Sequence, residues 1–256
     1  MNTSILNSDS MLRVNSSSNT TSDIGLPRRA DDGFSPTLFS FAEKKKWRKL
    51  CRMLKRSKYK NMCSNRDTTG LSLLNIAVFL DAPFHIIDAI IQIDPTQAYL
   101  PDCFGATPLH LACLNGASPS TIQKLVRMRS DLVKAEDRDH RVPLHHAVEC
   151  VCRNEISFDD GREVIRILCE VDSSIIHNND SNSHSPLDIV QIARTMEPET
   201  HDDSHLQKLY TILCCISKNE YLRKKRDWEG RESVTDSSIS GETYVSESSI
   251  IKSAKK

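Results

Sequence analysis

The histidines and cysteines that could bind a metal or act as nucleophiles gather at one place, His145, His146, Cys150 and Cys152. A structural zinc ion needs four such ligands, taken as pairs two to four residues apart from two separate segments. Cys150 and Cys152 stand too close together for that pattern, and the adjacent His145 and His146 point to different faces of any element. His201 and His205 lie one helical turn apart, but no Glu follows His201 as a helical His-Glu-x-x-His site requires. Nucleophilic chemistry fares no better. There is no Gly-x-Ser-x-Gly and no glycine-rich phosphate loop, and eight glycines in the whole chain leave few tight turns to make one. Cys214-Cys215 falls inside an apolar stripe, where a vicinal disulfide would be strained. The expectation is a chain without catalytic residues, metal or cofactor.

The elements around these residues are set by a hexapeptide that returns. Thr107-Pro108-Leu109-His110-Leu111-Ala112 comes back after 35 residues as Val142-Pro143-Leu144-His145-His146-Ala147 and after 43 more as Ser185-Pro186-Leu187-Asp188-Ile189-Val190. A worn copy, Ser72-Leu73-Leu74-Asn75-Ile76-Ala77, precedes it by 35. Thr107 is a good N-cap, and Pro108 suits the first helical position, where no amide partner is needed. Gly116 can take the left-handed conformation that ends a helix. A second helix is predicted over 120–127, with Ile122, Leu125 and Val126 on one stripe. The other copies carry matching stripes: Ile86-Ile87-Ile90-Ile91, Val164-Ile165-Leu168, and Leu206-Leu209-Tyr210-Leu213. A helix pair this small cannot bury its own apolar face, so neighbours must complete the core.

On these residues the chain resembles the ankyrin-repeat family over roughly residues 67–217, because Thr-Pro-Leu-His-x-Ala at such a period is that family's signature. The resemblance implies an all-α fold: an ankyrin-like helical solenoid of about four repeats with short hairpin-like turns, at 67–101, 102–136, 137–179 and 180–226. The motif histidine should brace its own turn. His110 and His145 match it, while Asn75 and Asp188 depart. Such arrays present hairpin tips and first helices along a concave face that binds another protein. Carried onto this chain, the tip positions are Thr68, Thr69 and Leu71; Cys103, Phe104 and Ala106; Arg138, Asp139 and Arg141; and Ser181, Asn182 and His184. Leu114 and Asn115 of a first helix would face the same groove. The resemblance thus implies a monomeric, non-catalytic interaction module.

The bulk numbers agree with that. Formal net charge is zero, so no overall field steers the chain toward nucleic acid. Nine irregularly spaced cysteines, several on helix stripes, read as reduced thiols of a cytoplasmic or nuclear protein. No apolar run approaches the length needed to span a bilayer, and no secretory signal is expected. Residues 1–35, rich in Ser and Asn, and the acidic, Ser-rich 227–256 hold too little to bury and are expected to be disordered. Extra acidic residues at 153–160 and 196–203 should form neighbouring loops between the helices of the third and fourth repeats.

One stretch stands apart. Between Ser40 and Lys60 lie ten basic residues and a single acid, Glu43. Trp47, Leu50, Cys51 and Leu54 fall at i, i+3, i+4 and i+7, which predicts one basic amphipathic helix within 36–66 that caps the first repeat. Its outward charges are Lys44, Lys45, Lys46, Arg48, Lys49, Arg52, Lys55 and Arg56. They supply the alternative reading, a regulatory factor whose basic helix contacts nucleic acid or an anionic membrane.

Overall fold

The computed structural model describes residues 38–67, 70–196 and 205–235. Among these every regular element is a helix, apart from one bridge pairing Arg66 with Ser72. The helices are α1 Leu38–Glu43, α2 Trp47–Leu54, α3 Ser57–Cys63, α4 Leu73–Phe79, α5 Phe84–Ile93, α6 Pro108–Leu114, α7 Pro119–Met128, α8 Pro143–Cys152, α9 Phe158–Val171, α10 Pro186–Met196 and α11 His205–Thr235. Each hexapeptide starts a helix where local chemistry demands it. Ser72, Thr107 and Val142 sit at N-caps in extended conformation, and Pro108, Pro143 and Pro186 open their helices. Gly116 has φ +62° just past α6, as a helix-ending glycine should.

The helices come in antiparallel pairs, and the pairs stack. First helices pack in the order α1, α4, α6, α8 and α10; second helices follow as α2, α5, α7, α9 and α11. The expected stripes line the seam between the rows. Ile86, Ile87, Ile90 and Ile91 of α5, Ile122 and Leu125 of α7, and Val164, Ile165 and Leu168 of α9 are all buried. In α11 Leu206, Leu209 and Leu213 are buried, while Tyr210 is half-buried beneath the Arg194 guanidinium, 4.4 Å from its ring centre. Gly161 lies inside α9, where glycine costs about 1 kcal/mol against alanine. A Cβ there would meet Val151 Cγ2 at 2.3 Å, so the close approach of α8 to α9 needs that glycine.

The structure corrects three boundaries. The 36–66 stretch is not one helix but three, with the chain turning at Lys45, whose φ is +49°. α1 and α2 make a complete pair: Leu38, Phe39 and Ala42 are buried as α1 meets α4, and Leu50 and Leu54 as α2 meets α5. The six-residue α1 was hidden because its few apolar residues border a Ser-rich stretch. Short 3-10 turns, Pro95–Tyr99, Ser130–Lys134 and Ser173–His177, follow α5, α7 and α9 where none was expected. The last helix runs to Thr235, beyond the expected limit at 226. Residues 1–37 and 236–256, and the acidic stretch 197–204, lie outside the described residues.

Leu109 and Leu144 are both fully buried between successive pairs. Truncating either to Ala should cost about 2–5 kcal/mol in a urea titration. A loss below half a kilocalorie would show that they do not face a packed seam. A chain starting at residue 64 should melt well below one starting at residue 36, because it uncovers the face that α1 and α2 protect. Equal melting temperatures would remove α1–α3 from the folded core.

Candidate functional site

Four hairpin tips connect the pairs, and each is built on an aspartate. Asp102 Oδ1 accepts from the Phe104 and Ala106 amides at 2.8 and 2.9 Å, while the Asp102 amide donates to the Ala106 carbonyl at 2.9 Å. Asp137 and Asp180 repeat the pattern with Asp139 and Arg141 and with Asn182 and His184. Asp67 repeats its last bond, to the Leu71 amide at 2.8 Å. The fourth position of each tip has positive φ: Gly70 at +81°, Gly105 at +79°, His140 at +57° and Ser183 at +64°. His140 and Ser183 hold that turn without being glycine, a local strain that the Asp bonds offset.

The tips are tied to one another. The Arg138 amide donates to the Phe104 carbonyl at 3.0 Å, and the Ser181 amide to the Asp139 carbonyl at 2.8 Å. Motif side chains add a second tie. The Thr107 amide donates to His110 Nδ1 at 3.1 Å, so Nε2 carries the proton it gives to the Arg141 carbonyl at 3.0 Å. His145 does the same between the Val142 amide, 3.0 Å away, and the His184 carbonyl at 3.2 Å. Asn75 reaches forward with its amide to the Leu100 carbonyl at 3.3 Å. The expected bracing of the turn is therefore also a link to the following unit. Asp188, with no following tip among the described residues, turns back and accepts from the Ser185 amide at 2.9 Å and hydroxyl at 2.6 Å.

The tip residues divide by position. Cys103, Phe104, Arg138, Asp139, Ser181 and Asn182 are exposed, and Phe104 leaves 40% of its surface in solvent. The fifth position of each tip turns inward instead. Leu71 and Ala106 are partly buried against the core, and His184 is half-buried. Arg141 is committed internally, its guanidinium 3.0 Å from Glu149 and 3.7 Å from Asp180. Those four are corrected from surface contacts to supports, because stacking closes over that position. Leu114 and Asn115 are half-buried, and the Asn115 side chain caps α6 at the Leu111 carbonyl, 3.0 Å away. Thr68 and Thr69 lie outside the described residues.

Beneath the third tip is a polar cluster that the sequence reading missed. Glu149, 4% exposed, accepts from Arg141 at 3.0 Å and Arg153 at 2.5 Å. His146 bonds Asp137 through Nε2 at 3.0 Å, with its Nδ1 unpartnered. Burial alone would raise the Asp137 carboxyl, but bonds from His146 and the Arg141 amide hold it below its ordinary value. A signal was present. Glu149 stands where the other copies have Phe79, Leu114 and Ile192, and His146 where they have Ile76, Leu111 and Ile189.

The residues first weighed for chemistry are occupied elsewhere. His145 uses both ring nitrogens, and His205 stacks on Phe158 at 5.1 Å. All nine cysteines are free thiols, and burial pushes Cys63 up to about 11 and Cys150 and Cys169 to about 12. Among the described residues no three His, Cys, Asp or Glu side chains are placed to hold a metal ion, and no helix is long and apolar enough to cross a membrane. At the other end of the stack, Lys44 and Lys45 follow α1, and Lys46 is the N-cap of α2. Arg48, Lys49 and Arg52 lie on α2, and Lys55 and Arg56 join it to α3. All eight are exposed. No family model matches the chain, and no curated protein matches it either.

Burial holds His110 neutral, its pKa lowered to about 4, and it lowers His145 as well. Protonation therefore favours the unfolded chain, in which the ring keeps its ordinary affinity for a proton. Stability is intact above the unfolded pKa near 6.5 and declines as pH falls toward 4. For His110 alone the loss between pH 7 and 5 is about 2 kcal/mol. His110→Asn, which imitates Asn75, should flatten that dependence in urea titrations. An unchanged slope would show that His110 is not the titrating group.

Proposed function

We propose that the chain is a non-catalytic, ankyrin-like helical solenoid that binds another protein along its row of tips, acting as a monomer in the cytoplasm or nucleus. The observation that carries this reading is the row itself. Cys103, Phe104, Arg138, Asp139, Ser181 and Asn182 stand exposed side by side, and the bonds from Arg138 to Phe104 and from Ser181 to Asp139 hold them in register. Preorganised backbone lowers the ordering cost of binding, so a few side chains can supply the affinity. Phe104 offers an apolar anchor with Arg138 beside it, and aromatics and arginine dominate the energetics of protein interfaces. The stacked pairs supply rigidity, and both ring nitrogens of the motif histidines His110 and His145 are already committed to hydrogen bonds that support the tips.

The test is proximity labelling in the native cell with the full chain and with a Phe104→Ala, Arg138→Ala variant. The variant should fold normally and lose a discrete set of labelled proteins. Binding to the foremost of these, once purified, should weaken at least about tenfold, in the range of a hot-spot truncation. Identical labelling by both chains would sink the tip surface as the binding face.

A further inference from the structure

The N-terminal helix pair carries a charge distribution that its fold does not need. Ten of the chain's 34 basic residues and one of its 34 acidic ones fall between Ser40 and Lys60. That segment therefore holds nine net positive charges, balanced by nine net negative ones across the rest of the chain. Elsewhere several cations are neutralised by neighbours: Lys124 by Asp88, Arg129 by Asp131, Arg153 by Glu149 and Arg166 by Glu163. The ten of residues 40–60 are exposed and make no ion pair among the described residues.

Local helix physics opposes this arrangement. Arg48 and Lys49 occupy the first turn of α2, where the helix dipole favours acids, and that turn contains none. Arg48 and Arg52 are like charges at i and i+4, a repelling pair. The helix holds because Leu50 and Leu54 are buried on its opposite side. Arg48, Arg52 and Lys55 consequently form one outward ridge at i, i+4 and i+7, spaced by about 6 Å per four residues and fixed by core packing. A ridge of fixed cations matches an evenly charged strand, and a duplex presents one charge about every 1.7 Å of its axis. Arginine adds forked donors suited to phosphate oxygens.

A membrane fits less well. Stable attachment takes a basic patch together with an apolar anchor. Among the described residues the large apolar side chains that are exposed, Phe84, Tyr99, Phe104, Val171, Met196, Tyr221 and Leu222, all lie outside residues 38–63. Trp47 and Tyr59 are half-buried against the core, so the amphipathic face is already spent. We therefore infer that α2, with its C-cap Lys55, forms a nucleic-acid-binding surface that grips the phosphate backbone through Arg48, Lys49, Arg52 and Lys55, without reading base sequence. This surface is separate from the row of tips.

The experiment is fluorescence anisotropy of the full chain with a labelled 20-base-pair DNA duplex, from 50 to 250 mM salt. The expected result is binding that weakens linearly in log–log with salt, with a slope of about −4 for roughly four phosphates neutralised. The variant Arg48→Gln, Lys49→Gln, Arg52→Gln, Lys55→Gln should keep its melting temperature, bind at least about tenfold more weakly and lose most of that slope. Arg223→Gln with Lys225→Gln, in the Arg-Lys-Lys-Arg run at 223–226 of α11, should change binding less than twofold. A variant that binds as the parent does overturns the proposal. So does a parent chain that ignores the duplex while binding vesicles of 30% phosphatidylserine. If the quadruple variant fails to fold, the parent slope decides, and one shallower than about −2 rejects the surface.

Discussion

Helices of six to fourteen residues, the range from α1 to α10, are marginal at best alone in water, and a pair of them leaves one apolar face uncovered. Every pair here meets that constraint by lending its face to the next. Leu109 and Leu144 are fully buried on helices that pack against both neighbouring pairs, and α1 with α2 closes the open side of α4 and α5. Stability is therefore shared along the array, and each seam depends on its neighbours.

Apolar seams set distance but not register, since leucine and isoleucine tolerate sliding. Register comes from directional bonds. His110 and His145 donate hydrogen bonds from Nε2 to a carbonyl of the following tip, and the amides of Arg138 and Ser181 bind the preceding one. The histidines can do this only while neutral, with Nδ1 accepting and Nε2 donating, and burial enforces that state. The chemistry that aligns the units thereby makes the alignment sensitive to acid. The same alignment spaces the exposed tip residues, so the proposed binding surface inherits its geometry from buried bonds.

The third unit shows a different solution within this frame. Where the other copies place apolar residues, it buries His146 and Glu149, held by Asp137, Arg141 and Arg153. Such clusters stabilise little over apolar packing, but removing one member strands a charge and is costly. The cluster also draws Arg141 inward, so the surface of that tip is left to Arg138, Asp139 and His140.

What the sequence alone determined was whatever depends on near neighbours in the chain. Thr107 and Pro108 start a helix, Gly116 ends one, and the stripes of α5, α7 and α9 follow from helical period, so those elements were legible residue by residue. Half of the tip assignment was legible too, because exposure of the second and third tip positions follows from the Asp-centred turn. Tertiary structure decided the rest, where a residue's role depends on atoms far along the chain. Leu71, Ala106, Arg141 and His184 turn inward because the stack closes over them. Gly161 is required by Val151 of another helix. Lys45 breaks the basic stretch into a true pair because α1 must reach α4 while α2 reaches α5, a demand that periodicity within residues 36–66 does not contain.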